Sequence, residues 1–275
     1  MPEAARLAAA ARPAIRLVPA AGEIAIGESR LGGPADVPPD FVWPRRADVP
    51  LALVAQLDLR AIASDRLPDD GWLLFFFDNV EQPWGFDPAD RDGFTVRWVQ
   101  GSRTNLVRTL PDDLPEECDL GGARVTTRST VDLPAAMDEK VESVWDDEQG
   151  AEVLAERYEE LAAEIAGYRQ EKEGYHHLFG HPQILQDQMR SQCHMVSAGL
   201  YLGGPKDYET PEAKRMLAER HDHWNLLLQV DSSYSPAPLP YRFMWGDLGR
   251  LYWWMRDEDL RTRAFERAWC ILQSC

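Results

Sequence analysis

Two stretches of this chain read as the same phrase. Leu53-Val54-Ala55-Gln56-Leu57-Asp58 is followed, 15 residues after Gln56, by Gly71-Trp72-Leu73-Leu74-Phe75-Phe76-Phe77. Leu226-Leu227-Leu228-Gln229-Val230-Asp231 is followed, 20 residues after Gln229, by Gly249-Arg250-Leu251-Tyr252-Trp253-Trp254-Met255. An apolar run, Gln-x-Asp, a turn-rich gap, a Gly and an aromatic run predict strand, loop and strand in each copy. If the copies pack together, neither half has a complete core alone. The expectation is an α+β fold: one β-rich domain over residues 1–275, built from two pseudo-repeated strand-loop-strand units at about 50–100 and 224–257. Helical insertions and a C-terminal helix complete it.

Between these anchors, Phe94 to Gln100 alternates as a third strand and Arg124 to Thr130 reads as an edge strand. Ile15 to Ile26 alternates loosely, after an Ala-rich opening from Glu3 to Ala11 that suits a short helix ended by Pro13. An acidic helical insertion occupies about 135–173, where Leu154, Tyr158, Leu161, Ile165 and Tyr168 recur at helical spacing and predict one packed face. Gly174 ends that helix, and Tyr175 to Pro182 reads as a sharp turn. Thr210-Pro211-Glu212 is an N-cap, a first-turn proline and an acid that suits the helix dipole, so a helix is expected to about Arg220. Phe265, Trp269 and Leu272 fit a last helix from Glu258 to Gln273.

Composition narrows the functions. The formal charge is −17, and residues 138–173 hold 13 acidic side chains against four basic ones. Such a field repels nucleic-acid phosphates and anionic membranes and attracts basic proteins. The four cysteines, Cys118, Cys193, Cys270 and Cys275, have no zinc-finger spacing and are expected as reduced thiols. No basic-then-apolar leader opens the chain and no run approaches a membrane span, so a cytoplasmic protein is expected.

Several segments resemble the YwqG-like family of bacterial proteins. They are Ser29-Arg30-Leu31-Gly32-Gly33-Pro34, Val42-Trp43-Pro44, the run Pro50 to Leu59 and Gly71 to Phe76. His177-Leu178-Phe179-Gly180-His181-Pro182 with Gln186, Trp224 to Asp231, and Trp245 to Tyr252 follow in order. The resemblance implies a duplicated β-rich fold and no assigned catalytic residue or cofactor. Some members are similar to proteins found beside secreted polymorphic toxins, which implies a partner-binding or immunity role. The acidic insertion carries none of these segments.

Three constellations bear on chemistry. Gln56/Asp58 and Gln229/Asp231 each share a strand face, and two such carboxylates in one cleft could move a proton or hold a cation. The structural reading is favoured: buried Gln satisfying backbone groups and Asp capping the following turn. Trp245-Gly246-Asp247 with Trp43 suggests an aromatic ligand cleft. His177/His181 and His221/His223, with Cys193, His194 and Asp222 nearby, invite a metal reading that turn residues Gly180 and Pro182 weaken. No catalytic residue, metal site or cofactor is assigned, because no P-loop or nucleophile elbow is present. The leading expectation is a non-enzymatic module binding a basic protein through Glu152, Glu156, Glu159, Glu160 and Glu164. The alternatives are a small-ligand or carbohydrate binder using the aromatic cleft and, further behind, a hydrolase.

Overall fold

The computed structural model describes residues 8–136, 138, 151–167, 174–233 and 241–274, with the side chains of 151–154 excepted. In chain order the strands are β1 (Arg12–Ala20), β2 (Arg30–Gly32), β3 (Ala35–Val37), β4 (Arg45–Arg46), β5 (Val49–Pro50), β6 (Ala52–Asp58) and β7 (Trp72–Phe77). Then come β8 (Phe94–Val99), β9 (Val107–Thr109), β10 (Gly122–Asp132), β11 (His176–Phe179), β12 (Trp224–Asp231), β13 (Arg250–Arg256) and β14 (Trp269–Gln273). The helices are α1 (Ala151–Ala166), α2 (Met189–Ser197), α3 (Pro211–Leu217) and α4 (Asp257–Thr262).

Ten strands form one sheet in the order β14-β13-β12-β11-β1-β10-β2-β6-β7-β8. Every pairing in it is antiparallel. The sheet curls until its two ends meet: Phe94 of β8 lies edge-on to Trp269 of β14 with ring centroids 5.2 Å apart. Phe75 of β7 meets Trp253 of β13 at 5.5 Å across the interior. The unbroken apolar run of β7 is explained by burial on both faces. Leu73, Phe75 and Phe77 join the main core, whereas Trp72, Leu74 and Phe76 join a second cluster with Leu51, Leu53 and Val37. Over β12 the main core is extended by Met189, Cys193, Val196, Ala213 and Met216 of α2 and α3.

The same local arrangement occurs on either side of the central β1–β10 pair. Arg30 of β2 pairs with Gln56 of β6, and His177 of β11 pairs with Gln229 of β12. Both long strands are bulged just before their Gln, between Leu53 and Ala55 and between Leu226 and Leu228. Both short strands end in two residues of left-handed conformation: Gly32 and Gly33 (φ 65° and 74°), Phe179 and Gly180 (φ 60° and 70°). Phe179 holds that conformation despite its bulk, beneath the Arg66 guanidinium, 4.2 Å from its ring centre.

Several elements depart from expectation. The C-terminal helix is absent from Glu258 to Gln273: α4 stops at Thr262, where Arg263 adopts φ 62°, and Trp269–Gln273 is a strand paired with β13. Phe265, Trp269 and Leu272 fit helical spacing, but Trp-Cys-Ile-Leu is equally a two-faced strand, and burial of all five β14 residues decides it. The Arg124–Thr130 segment lies inside β10, in the middle of the strand order, and Tyr175 to Pro182 contains β11 before it turns. β1 already begins at Arg12, and Pro13 lies within it; Ala8–Ala10 are helical and the rest of the predicted opening helix falls outside the described residues. The exposed side of β14 is covered by the loop after β7. Leu272 N–H donates to the Trp84 carbonyl at 3.1 Å and Trp269 Nε1 to that of Gly85 at 2.7 Å. A Cβ on Gly85 would sit 2.0 Å from the Cys270 carbonyl oxygen, so only glycine allows this approach.

Candidate functional site

The Gln-x-Asp pairs are engaged within their own surroundings, except that the buried Gln56 Nε2 has no hydrogen-bond partner among the described residues. Gln56 Oε1 accepts from Asp36 N–H at 2.8 Å, and Gln229 Oε1 from Gln183 N–H at 2.9 Å. Asp58 N–H donates to Ser29 Oγ (2.9 Å) and Asp231 N–H to His176 Nδ1 (3.1 Å). The Asp58 carboxylate caps the next turn through Arg60 N–H and pairs with Arg60 and Arg103, at 3.2 and 2.5 Å. The Asp231 carboxylate accepts from Tyr175 N–H and Gln229 Nε2 and pairs with Arg250. Four strands separate the two pairs in the sheet order, and no residue contacts both among these bonds. They form no common acid/base site.

The two tryptophans do not line one cleft. Trp43 packs on Phe76 at 5.1 Å and its Nε1 donates to the Leu51 carbonyl, whereas fully buried Trp245 packs on Phe77 at 5.8 Å. Adjacent residues of a strand face opposite ways, so β7 itself lies between the two rings. Asp247 is exposed in the turn after Trp245.

His177 and His181 point to separate backbone oxygens, those of Phe179 and Ala10. His194 gathers near His221 and His223, with ring centroids 5.1 and 5.5 Å away. Its Nε2 lies 3.0 Å from Glu219 Oε2. Among the described residues, no group of three His, Cys, Asp or Glu side chains is set to hold a metal ion. Cys118, Cys193 and Cys270 are buried free thiols whose pKa values burial pushes up, which suits packing and disfavours a thiolate.

The acidic helix is split by its orientation. Tyr158, Ala162 and Ala166 are buried, and Tyr158 Oη donates to the Pro134 carbonyl at 2.7 Å. Arg128 and Thr130 of β10 donate to the Ala166 carbonyl at the end of the helix. Glu156, Glu160 and Glu164 are exposed at four-residue intervals, with Leu161 and Ile165 exposed beside them. Glu159 turns inward to accept from Ala136 N–H, and burial raises its pKa. It therefore leaves the expected acidic face; the Glu152 side chain lies outside the described residues.

A cavity of about 440 Å³ opens where the central strands meet the loops before β7 and β12, a site that no sequence motif announced. Arg12, Ser64, Arg66, Thr130, Phe179 and Asn225 line it, from five separate segments of chain, Ser64 and Arg66 sharing the loop before β7. Burial lowers the pKa of both guanidiniums, the Asp257 carboxylate opposes that shift at both, and a like charge adds to it, Arg190 at Arg12 and Arg12 at Arg66. Among the described residues neither forms an ion pair. Asp222 and Asp257, which belong to the same lining, are engaged by Arg220 and Asn225 respectively.

Among the described residues no helix is long and apolar enough to cross a membrane. No curated protein matches the chain. Residues 29–275, which hold both Gln-bearing strands, the cavity's loops and α1, match the family described as Domain of unknown function (DUF1963), and the chain belongs to that family.

Proposed function

We propose that this protein acts by holding a partner, and that the partner is a basic protein docking on α1. The observation that carries this reading is the exposed row Glu156, Glu160 and Glu164, set beside exposed Leu161 and Ile165 on a helix whose opposite side is anchored to β10. Clustered acids steer a basic partner into encounter, and an apolar pair supplies contact area once it arrives. A net charge of −17 extends the same field over the molecule. This is the chemistry an immunity protein uses against a basic toxin, and a cytoplasmic location belongs to the same proposal.

The test is capture from source lysate by wild-type protein and by a variant with Gln at positions 156, 160 and 164. A stoichiometric basic partner retained by wild type alone, and released by salt, is the expected result. Equal capture by both proteins would overturn the reading. A second reading, binding of a small ligand, is favoured by the 440 Å³ cavity in place of the Trp43/Trp245 cleft.

The two Gln-bearing units are further proposed to be copies of one ancestral unit. Their support is the shared pairing of Gln56 and Gln229, the shared bulges and the matched donors Asp36 and Gln183. On that proposal the cavity lies at the junction of the copies.

A further inference from the structure

We propose that the central cavity binds a small polar molecule bearing a single carboxylate or phosphate group, gripped by Arg12 and Arg66. This deepens the small-ligand reading and is independent of the acidic helix. Two guanidiniums line one 440 Å³ space, both desolvated, and among the described residues neither forms an ion pair, although the Asp257 carboxylate acts on both of them through space. A desolvated guanidinium with no carboxylate in contact gains from an anion placed against it, and the fork geometry of arginine suits the paired oxygens of a carboxylate or phosphate. Arg66 is also held in place by stacking on Phe179, 4.2 Å from its ring centre, at a residue that keeps a left-handed backbone. That contact restrains the guanidinium before any ligand arrives.

The rest of the lining sets the ligand's other end. Ser64 and Ser129 bring hydroxyl groups to the lining, which suit a hydroxylated or amine-bearing body, whereas the Thr130 hydroxyl and the Asn225 amide are already engaged with the Ala166 carbonyl and Asp257. Asp65, Asp222 and Asp257 stand on the same wall, and they repel any second anionic group. The cavity therefore selects a ligand with one anionic group over a polyphosphate. Its volume falls in the range of small-molecule sites, roughly 300–1,000 Å³.

The experiment is isothermal titration at low salt with inorganic phosphate, glucose 6-phosphate and gluconate, and with glucose and tripolyphosphate as controls. At least one of these three single-group anions is expected to bind saturably with one-to-one stoichiometry, with glucose silent and tripolyphosphate weaker. Arg12→Gln should weaken that binding by about tenfold or more, the loss expected for one charge-assisted contact. Arg66 also packs on Phe179, so Arg66→Lys is the second variant: it keeps the charge, loses the fork and should weaken binding while leaving the melting temperature near wild type. Absence of saturable binding up to about 10 mM, an affinity too weak for a built site, would overturn the proposal. So would binding that both variants retain, or a preference for tripolyphosphate.

Discussion

Asp132 is an acid that the fold keeps from ionising. It is buried, accepts from His181 N–H at 2.8 Å, and has its pKa raised to about 7, first by burial and then by nearby Glu159. A carboxyl whose folded pKa exceeds its unfolded value contributes stability that is full below about pH 4 and lost as pH rises to about 7. Asp132→Asn removes that dependence while keeping an acceptor for His181. It should be more stable than wild type at pH 8, by about 1 kcal/mol or more, and should lose the advantage near pH 4, read by urea unfolding across pH. Identical pH profiles would refute the assignment. His176 and His177 work in the opposite direction, because burial lowers both to about 4. The unfolded chain takes up their protons below about pH 6.5 and the native one does not, so their stability is present above that value and drains away toward pH 4. The variant's acid limb should therefore be steeper than that of wild type. Gln56 and Gln229 act without charge: Gln56→Ala and Gln229→Ala each orphan a backbone N–H, at Asp36 or Gln183, and should cost about 1–3 kcal/mol apiece. A loss under about 0.5 kcal/mol in denaturant titrations would mean the bonds are replaced by water.

At the scale of the element, α1 shows what decides a packed face. Helical spacing nominates Leu161 and Ile165, yet they are 51% and 44% exposed, and the helix seats itself on Ala162 and Ala166. β10 reaches the last turn with Arg128 and Thr130, whose donors engage the Ala166 carbonyl, and small side chains allow that close approach. Ala162→Leu should overpack the contact and cost about 1–3 kcal/mol, whereas Leu161→Ser should change stability by less than about 0.5 kcal/mol. Guanidinium unfolding of the two variants distinguishes them, and a reversed order would restore the leucine face. β6, β7, β12 and β13 were legible because uninterrupted apolar runs of strand length leave little else to form. β14 was not, since Trp269 and Leu272 satisfy two periods and only pairing with β13 chooses between them. The cavity was illegible for another reason: Arg12, Ser64, Thr130 and Asn225 are scattered in sequence and meet only through the strand order.

The whole molecule is tied together by exchange between its parts. β1 pairs with β10 on one side and β11 on the other, and the rings of Phe75 and Trp253 interlock across the interior. Each side thus completes its core with the other's aromatics. Fluorescence and circular dichroism should report one coincident urea transition, and residues 174–274 expressed alone should lack a cooperative transition. Two separated transitions would show that the sides are independent. The cover over β14 also has a consequence in time. The Gly85 carbonyl and the Trp269 indole that joins it are 184 residues apart. At a ribosomal rate of about 5–20 residues per second, the cover emerges roughly 10–40 s before the strand it closes upon. During that interval Phe94 has no Trp269 to meet, and the nascent protein carries a bare aromatic seam. The expected consequence is a yield of folded protein that falls when chaperones are depleted during synthesis, and an unchanged yield would show that the seam closes without them.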